Sequence, residues 1–467
     1  MFWQALNILY VITVALFLFN LTIFVHELAH YLVGRWRGAR IERFAIWFGP
    51  ALWSKTIRNV EFRLGCIPLG GYVAFPQLVM ESIEGKSEMP AEKLEPLKPK
   101  DKIPILFAGS FANLLLAFFV ACIVWMVGVP KDKSDFDLKI GYVLPNTPEQ
   151  AAGIQPGDRI VSINNKIVKN WEEIVQRVAL SLSEKVKIGL ERNGKLEVVE
   201  LIPNRDNLFK IRMLDLERAN IPVAGMIQPN SPAEKANIQS GDEFLAVDGE
   251  KVLGTFHLIE LIKQHPNKLT HLTLLRNGKE IEIEVTPKIE KKSGISRMGV
   301  ALRPKSDDQK MIVYPTPWQQ MAGSLLAMAD TLNALIHTKT TGVGVGDLAG
   351  PVGIGWSLYE KIKLDYRLAL EFLVLLNINL AIINLFPIPV LDGGHIIFAL
   401  IESIRRKPLN QKILEATQTV FIALLITFML YITFYDISRL ARWKLMAGKE
   451  KNVADRALPS FEEKISP

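Results

Sequence analysis

Four long stretches of the sequence contain no charged residue and are mostly apolar. They are residues 1–25, 103–130, 372–391 and 416–435. A helix needs about 20 residues to cross the hydrocarbon core of a bilayer, and each stretch reaches that length. The mean hydropathy of +0.19 is also high for a soluble protein. The pattern therefore predicts four transmembrane helices, called spans one to four in chain order.

The basic residues collect beside these spans. Seven lie between residues 35 and 63, after span one, and four lie between residues 405 and 412, before span four. By the positive-inside rule both loops are cytoplasmic, so residues 131–366 lie on the opposite side of the membrane. The basic residues that begin with Arg439 follow span four and would lie on the outer side, which disagrees with the positive-inside rule. We give the two earlier loops more weight in assigning the orientation. Contact with anionic lipid accounts for the net charge of +7, so no nucleic-acid partner is predicted.

Two further classes are excluded by what the sequence lacks. Only two cysteines occur, Cys66 and Cys122, which excludes a disulfide framework and a cysteine-rich zinc site. The first apolar stretch has no basic n-region and no small-residue cleavage motif. It is therefore expected to remain as a membrane span, and not to be removed as a signal peptide.

The region between spans two and three contains a repeat. Its copies are residues 144–164, LPNTPEQAAGIQPGDRIVSIN, and residues 228–248, QPNSPAEKANIQSGDEFLAVD. The same offset of 84 residues relates ERNGK (191–195) to LRNGK (275–279). Two copies in one register indicate two similar modules, each with short β-rich runs, one helical stretch and an Asn-Gly hairpin signal.

The repeat resembles a tandem of bacterial PDZ domains, at residues 137–203 and 221–288. The resemblance implies a groove beside the first strand of each module, near Gly141–Val143 and Gly225–Ile227, where an extended peptide adds as a strand. The alternative is a pair of spacer domains that bind nothing, because a fold alone does not define a function.

A polar cluster at the end of span one carries the candidate chemistry. His26, Glu27 and His30 follow a run of 25 residues without a charge. On a helix, positions i and i+4 share one face about 6 Å apart along the axis, so both imidazoles can reach one Zn²⁺. Glu27 can take a proton from a water molecule beside the ion. The alternative is a histidine pair that caps the wet end of a membrane helix, which leaves the intervening glutamate without a role.

Zinc needs a third protein ligand, and Asp392 is the candidate. Pro387 and Pro389 cannot continue a regular helix, so span three is expected to break before Asp392. The topology brings Asp392 to the same side of the membrane as the two histidines of span one. Two alternatives stay open: Asp392 only caps the next helix, or His395 is the ligand instead.

Taken together, the HExxH cluster, NLFPIPVLDGG (384–394) and the intervening PDZ pair resemble the site-2 intramembrane metalloproteases of peptidase family M50. The PDZ tandem is similar to the RseP type of that family. The resemblance extends over the chain apart from about the last thirty residues. It implies a polytopic α-helical membrane protein with four transmembrane helices, a membrane-reentrant β-hairpin and two extracytoplasmic β-rich PDZ domains.

The resemblance also implies roles for individual residues. One zinc ion per chain is held by His26, His30 and Asp392, and Glu27 is the catalytic base. Substrate contacts are implied at Asn384, Pro387, Pro389, Gly70 and Gly71.

Two segments match further features of the family. VEFRLGCIPLGGYVAF (60–75) is similar to its reentrant hairpin, expected here within residues 55–76. AGSFANLLLAF (108–118) is similar to its small-residue stretch in span two. That stretch is expected to be structural, with Gly109 and Asn113 permitting close helix packing.

The implied function is cleavage of the transmembrane segments of single-pass membrane proteins, such as an anti-sigma factor or a similar regulator of envelope stress, and also of remnant signal peptides. An upstream site-1 protease acts first, and the PDZ pair screens substrates by size. The implied location is the bacterial cytoplasmic (inner) membrane, with the active site towards the cytoplasmic side.

Two other functions fit parts of the pattern. A non-enzymatic membrane PDZ scaffold with a vestigial metal site predicts damaged catalytic residues, and none is damaged. A metal transporter requires several intramembrane ligands along a path, and few ionisable groups lie within the spans. The segments outside the PDZ pair are expected to be two membrane parts (1–130 and 367–445), a linker with an amphipathic connection to the membrane (289–366) and a C-terminal tail (446–467).

Overall fold

The computed structural model describes residues 2–78, 95, 97–205, 211–289, 296–305, 310–407 and 409–456. The chain divides into two compact units. The first comprises Met1–Pro130, Ile312–Ala329 and Leu348–Ile437. The second comprises Lys131–Met311, Asp330–Asp347 and Ser438–Pro467.

The described residues form the following helices and strands. The helices are α1 (Phe2–Trp36), α2 (Pro99–Val127), α3 (Pro148–Ala151), α4 (Trp171–Ala179), α5 (Pro232–Lys235), α6 (Thr255–Lys263), α7 (Pro317–Ile336), α8 (Thr338–Thr341), α9 (Pro351–Leu364), α10 (Tyr366–Asn384), α11 (Asp392–Arg405) and α12 (Gln411–Arg456). The strands are β1 (Arg43–Ile57), β2 (Val60–Ala74), β3 (Val129–Asp132), β4 (Ile140–Val143), β5 (Arg159–Ile163), β6 (Lys166–Ile167), β7 (Val186–Arg192), β8 (Lys195–Leu201), β9 (Leu216–Arg218), β10 (Pro222–Ile227), β11 (Glu243–Val247), β12 (Glu250–Lys251), β13 (Thr270–Arg276), β14 (Lys279–Val285), β15 (Lys288–Ile289), β16 (Ser296–Arg297), β17 (Val300–Pro304) and β18 (Lys310–Val313).

Among the described residues, four helices are long and apolar enough to cross a membrane: α1, α2, α10 and the Lys412–Ala441 part of α12. The predicted number of spans is confirmed. Span three ends earlier than predicted, because α10 stops at Asn384 and the remaining residues of the apolar stretch form a turn before α11. The residues of the predicted tail that the structure describes, up to Arg456, continue α12.

Strands β1 and β2 form a bent antiparallel hairpin. The β-structure begins at Arg43, well before the expected start at residue 55. The Gly49-Pro50 pair hides the strand pattern in the sequence, and the register shifts there between Phe48 and Ala51. Ile46 pairs with both Leu64 and Gly71, so the first half of β1 lies between the two halves of β2. Residues 71–74 therefore form an outer edge of this small sheet.

The second unit contains the two repeated modules. The first has a sheet in the order β6-β5-β7-β8, and the second has the order β14-β13-β11-β10-β17. Each module encloses its own core of buried aliphatic side chains. The predicted Asn-Gly hairpins are confirmed: Asn193-Gly194 joins β7 to β8 and Asn277-Gly278 joins β13 to β14, all four residues having positive φ.

The two modules also repeat one ion pair. Arg192 donates two hydrogen bonds of 2.7 Å to the carboxylate of Asp158, and Arg276 does the same to Asp242. Burial alone raises the pKa of each aspartate, but the arginine and a backbone N–H outweigh it and hold the pKa below its ordinary value. The repeat in sequence therefore corresponds to a repeated charged contact that ties the second hairpin of each module to its first strands.

The predicted peptide grooves near Gly141–Val143 and Gly225–Ile227 stay a prediction. Strand β10 lies inside its sheet, with β11 on one side and β17 on the other. Strand β4 pairs with β9, and its other edge bonds to Asp158. Among the described residues, this second neighbour bonds only near the start of each strand, at Val223 and Ala224 of β10 and at Ile140 of β4. The pairing therefore does not cover the second edge of the predicted groove residues. The modules extend past their predicted ends, because β9 and β17 follow residues 203 and 288.

Candidate metal centre

Helix α1 carries both histidines of the HExxH cluster on one face. Their ring centroids lie 4.7 Å apart and their Nε2 atoms 3.1 Å apart. Both residues are buried, with 8% and 6% of their surface exposed. The shared face that the i and i+4 spacing predicts is confirmed, and the two nitrogens point at one location.

Asp392 comes to the same location from α11. Its Oδ2 atom lies 3.3 Å from His26 Nε2 and 3.4 Å from His30 Nε2. Asp392 is the first residue of α11, while Leu391 is the N-cap and no side chain makes a capping bond there. This geometry favours a ligand role over the alternative of a helix cap.

The turn before α11 fixes the position of Asp392. An ideal Cβ on Gly394 would lie 2.5 Å from the carbonyl carbon of Ile388 and 2.7 Å from Cα of Pro389. On Gly393 it would meet the backbone of Leu385 and Phe386. Only glycine permits this approach, so α11 packs directly on the proline-containing turn that ends span three.

The three groups fit a zinc ion. With ligand bonds of about 2.0–2.2 Å, the edges of a tetrahedral zinc site measure about 3.3–3.6 Å. The observed separations of 3.1, 3.3 and 3.4 Å between the donor atoms are close to those edges. Asp392 Oδ2 is also buried without a hydrogen-bond partner, which a bound cation would provide. Within the described part of the chain, these three residues form a group able to hold a metal.

A cavity in the first unit opens beside these three candidate ligands. Glu27, Gly70, Gly71 and Asn384 all line it. An ideal Cβ on Gly71 would lie 3.1 Å from Glu27 Cγ, so the backbone of the hairpin edge lies against the glutamate. The cavity thus joins the expected catalytic base, part of the expected substrate contacts and the ligand cluster.

Not every expected site residue lines this cavity. Pro387 is exposed and Pro389 is buried in the turn, and neither belongs to the lining. Their observed contribution is to end α10 and shape the turn before Asp392. His395, the alternative ligand, lies outside the ligand cluster, and its Nε2 is 3.4 Å from Nε2 of Gln418 on α12.

Helix α2 contacts both imidazoles. From the sequence, this part of span two was expected to serve helix packing alone. His30 Nδ1 donates to the carbonyl oxygen of Ile105 at 2.7 Å, and Asn113 Nδ2 lies 3.2 Å from His26 Nδ1. Gly109 faces the rings between these two contacts. Ile105, Gly109 and Asn113 are spaced by four residues and so share one face of α2. The signal for this contact was the polar Asn113 on that face of a predicted transmembrane helix.

The chain is similar in sequence to known proteins. The model of Peptidase family M50 matches residues 14–428. The chain is 29% identical to the regulator of sigma-E protease RseP of Escherichia coli K12, over 89% of this chain and 96% of that protein. It is 28% identical to protease RseP of Yersinia pestis, over 93% of this chain and all of that protein. Among solved structures, the PDZ domain of an SdrC-like protein from Listeria monocytogenes matches 18% of this chain and 90% of that domain at 16% identity, with a TM-score of 0.17.

Proposed function

The chain belongs to peptidase family M50, and on this premise we propose that it is an intramembrane zinc metalloprotease that cleaves transmembrane segments of single-pass membrane proteins. The observation that carries the proposal is the convergence of His26, His30 and Asp392 at one point beside Glu27. His26, Glu27 and His30 lie in a helix long and apolar enough to cross a membrane, where an ionisable side chain is costly unless it has a function.

The ligand cluster and Glu27 divide the chemistry between them. A zinc ion held by His26, His30 and Asp392 supplies a Lewis acid for the scissile carbonyl and for water. Glu27 accepts the proton of the attacking water and passes it to the leaving amine. Asn384, across the cavity, donates its amide N–H to the substrate backbone near the scissile bond.

The outer edge of the hairpin can hold the substrate in an extended conformation. A transmembrane helix must unwind before cleavage, because its carbonyls are engaged in intrahelical hydrogen bonds. Residues 71–74 form an outer edge of the hairpin sheet, and Gly70–Val73 line the cavity. An unwound substrate segment that adds to this edge as a strand lies extended beside Glu27. In this proposal the hairpin re-enters the membrane next to the cluster.

The substrate class follows from the relatives. The Escherichia coli relative is named a regulator of sigma-E protease. We therefore take the substrates to be membrane-anchored regulators of a sigma factor, trimmed first by a site-1 protease, with remnant signal peptides as a further class. The charge pattern supports the orientation in the inner membrane. The zinc site faces the cytoplasm, and both modules are PDZ domains on the opposite, extracytoplasmic side.

The test separates the metal site from the base. Full-length protein is purified in detergent and its zinc content is measured, and cleavage of a co-expressed single-pass substrate is followed in membranes. Asp392→Ala should lose zinc and activity, whereas Glu27→Gln should keep one zinc per chain and lose activity. Glu371→Gln, a change of the same chemistry on span three away from the cavity, is the matched control and should keep both.

Two results would contradict the proposal. Cleavage by Glu27→Gln at the rate of the unchanged protein removes the proposed base. Absence of zinc from the unchanged protein, or zinc content indifferent to Asp392→Ala, favours the non-enzymatic scaffold instead.

A further inference from the structure

Both ligand histidines are held from behind by helix α2. The ring nitrogen that does not face the cluster is Nδ1 in each case. The Nδ1 of His30 lies 2.7 Å from the carbonyl oxygen of Ile105, which can only accept a hydrogen bond. This contact places the proton of His30 on Nδ1 and leaves the lone pair of Nε2 free for a metal.

The contact of His26 has a different chemistry. Its Nδ1 faces the side-chain amide of Asn113, and the amide nitrogen is the nearer atom, at 3.2 Å. In that orientation Asn113 donates to Nδ1, so the proton of His26 sits on Nε2, which is the atom needed for metal binding. The other end of the amide, Oδ1, is buried and has no hydrogen-bond partner. The orientation therefore suits a histidine that holds no metal.

Turning the amide by half a rotation reverses the hydrogen bond. The oxygen then accepts from Nδ1–H of His26, and the lone pair of Nε2 becomes available. The two ends of an asparagine amide have nearly the same shape, so the change needs no movement of the helix. Since one end of the amide lacks a partner in either orientation, the rotation sacrifices no other hydrogen bond.

We propose that Asn113 is a positioning residue for His26, which sets the tautomer of the imidazole and so controls metal affinity. The inference rests on the proposed metal-dependent function and extends it to span two. Outer hydrogen-bond partners of metal-binding histidines fix the orientation of the ring and raise its basicity, and their loss typically weakens metal binding by about 10- to 100-fold.

The competing explanation is packing alone. Asn113 is fully buried, and a small polar residue at this place also permits close contact between α1 and α2. The two explanations are separated by comparing two variants. Leucine has the branching of asparagine, is larger and cannot hydrogen-bond, whereas aspartate has almost the size and shape of asparagine. Aspartate can accept from Nδ1–H but cannot donate.

The experiment measures metal affinity and not activity. Full-length protein in detergent is stripped of metal, and the Zn²⁺ dissociation constant is determined by competition with a chromophoric chelator. Visible absorption of the Co²⁺-loaded protein reports the ligand geometry, and thermal unfolding of the metal-free protein reports the fold. Ser110→Ala is the matched control, because Ser110 is equally buried on α2, also lacks a hydrogen-bond partner and has no recorded bond to either histidine.

We expect Asn113→Leu to weaken zinc binding by about 10- to 100-fold. Asn113→Asp should bind zinc at least as tightly as the unchanged protein, and Ser110→Ala within about threefold of it. If Asn113→Leu does not fold, the aspartate variant decides alone. Unchanged affinity in Asn113→Leu, or a weakening in Asn113→Asp as large as in Asn113→Leu, overturns the inference. Failure of the unchanged protein to bind metal rejects instead the proposed function on which it rests.

Discussion

Gly109→Ala tests how closely span two approaches the ligand cluster. An ideal Cβ on Gly109 would lie 2.5 Å from Cε1 and 2.6 Å from Nε2 of His26, and closer still to Nε2 of His30. An ordinary contact between such atoms is about 3.4 Å or longer. The added methyl group therefore occupies space next to the metal-binding nitrogens, and both rings must move to admit it.

The magnitude follows from the cost of overpacking. Forcing an extra methyl group into a packed interior costs about 1–3 kcal/mol. Because about 1.4 kcal/mol corresponds to a factor of ten in affinity, zinc binding should weaken by about 5- to 150-fold. Alanine is favoured over glycine within a helix by about 1 kcal/mol, so helix content should not fall. Because the rings can admit the methyl group only by leaving the positions in which their Nε2 atoms converge, the loss should appear first in metal affinity.

The assay compares two glycine-to-alanine changes in helices. Gly323 on α7 has open space where a Cβ would stand, so Gly323→Ala is the matched control. The dissociation constant for Zn²⁺ and the thermal unfolding midpoint are measured for both variants and for the unchanged protein. If Gly109→Ala binds zinc as tightly as Gly323→Ala, span two does not abut the imidazoles and the reasoning is refuted.

Three more changes test other contacts. Arg192→Ala should destabilise the first module at pH 7 and speed the exchange of its protected amides, measured by hydrogen exchange. The pKa of Asp158 is lowered in the folded state, so this stabilisation is present above about pH 4 and disappears as the pH falls further; a difference that persists in acid contradicts the assignment. Asp436→Ala removes the carboxylate that accepts a hydrogen bond from Gly353 N–H at 2.7 Å near the start of α9. Amide exchange at the start of α9 should become faster, by an amount equivalent to about 1–2 kcal/mol of lost stability. Unchanged exchange would show that the contact does not stabilise the helix. Gly394→Ala should displace the start of α11 and lower the zinc content, and full zinc occupancy would show that the turn can relax.

Local patterns in the sequence predicted much of this molecule. The apolar runs depend only on composition, and the HExxH face depends only on helix geometry, so both could be read from neighbouring residues. The same holds for Asn193-Gly194, because positive φ at both positions is a property of the dipeptide and its turn. The position of Asp392 required one further step, namely that the two spans end on the same side of the membrane.

Contacts between distant segments could not be read in this way. Strand β17 pairs with β10 across more than seventy residues, and no local period marks that pairing. The strand that pairs with β4 could not be predicted for the same reason, since β9 also follows much later in the chain. Asn113 was missed for a related reason: its contact with His26 depends on the rotation of α2 about its own axis, which an almost uniformly apolar helix does not reveal.

Glycines explain how the polar groups of the candidate metal centre can be held tightly between closely packed segments. Gly71 lies against Glu27, Gly109 against the two imidazoles, and Gly394 against the turn that precedes Asp392. At each place a backbone occupies the volume that a side chain would otherwise fill, so the polar groups are enclosed on several sides by rigid chain. Metal sites need their ligands within about 0.5 Å of the productive geometry, and rigid support of this kind supplies that accuracy. A methyl group added at either Gly109 or Gly394 should therefore affect the metal before it affects the helices, whereas the same addition at an open helical glycine should affect neither.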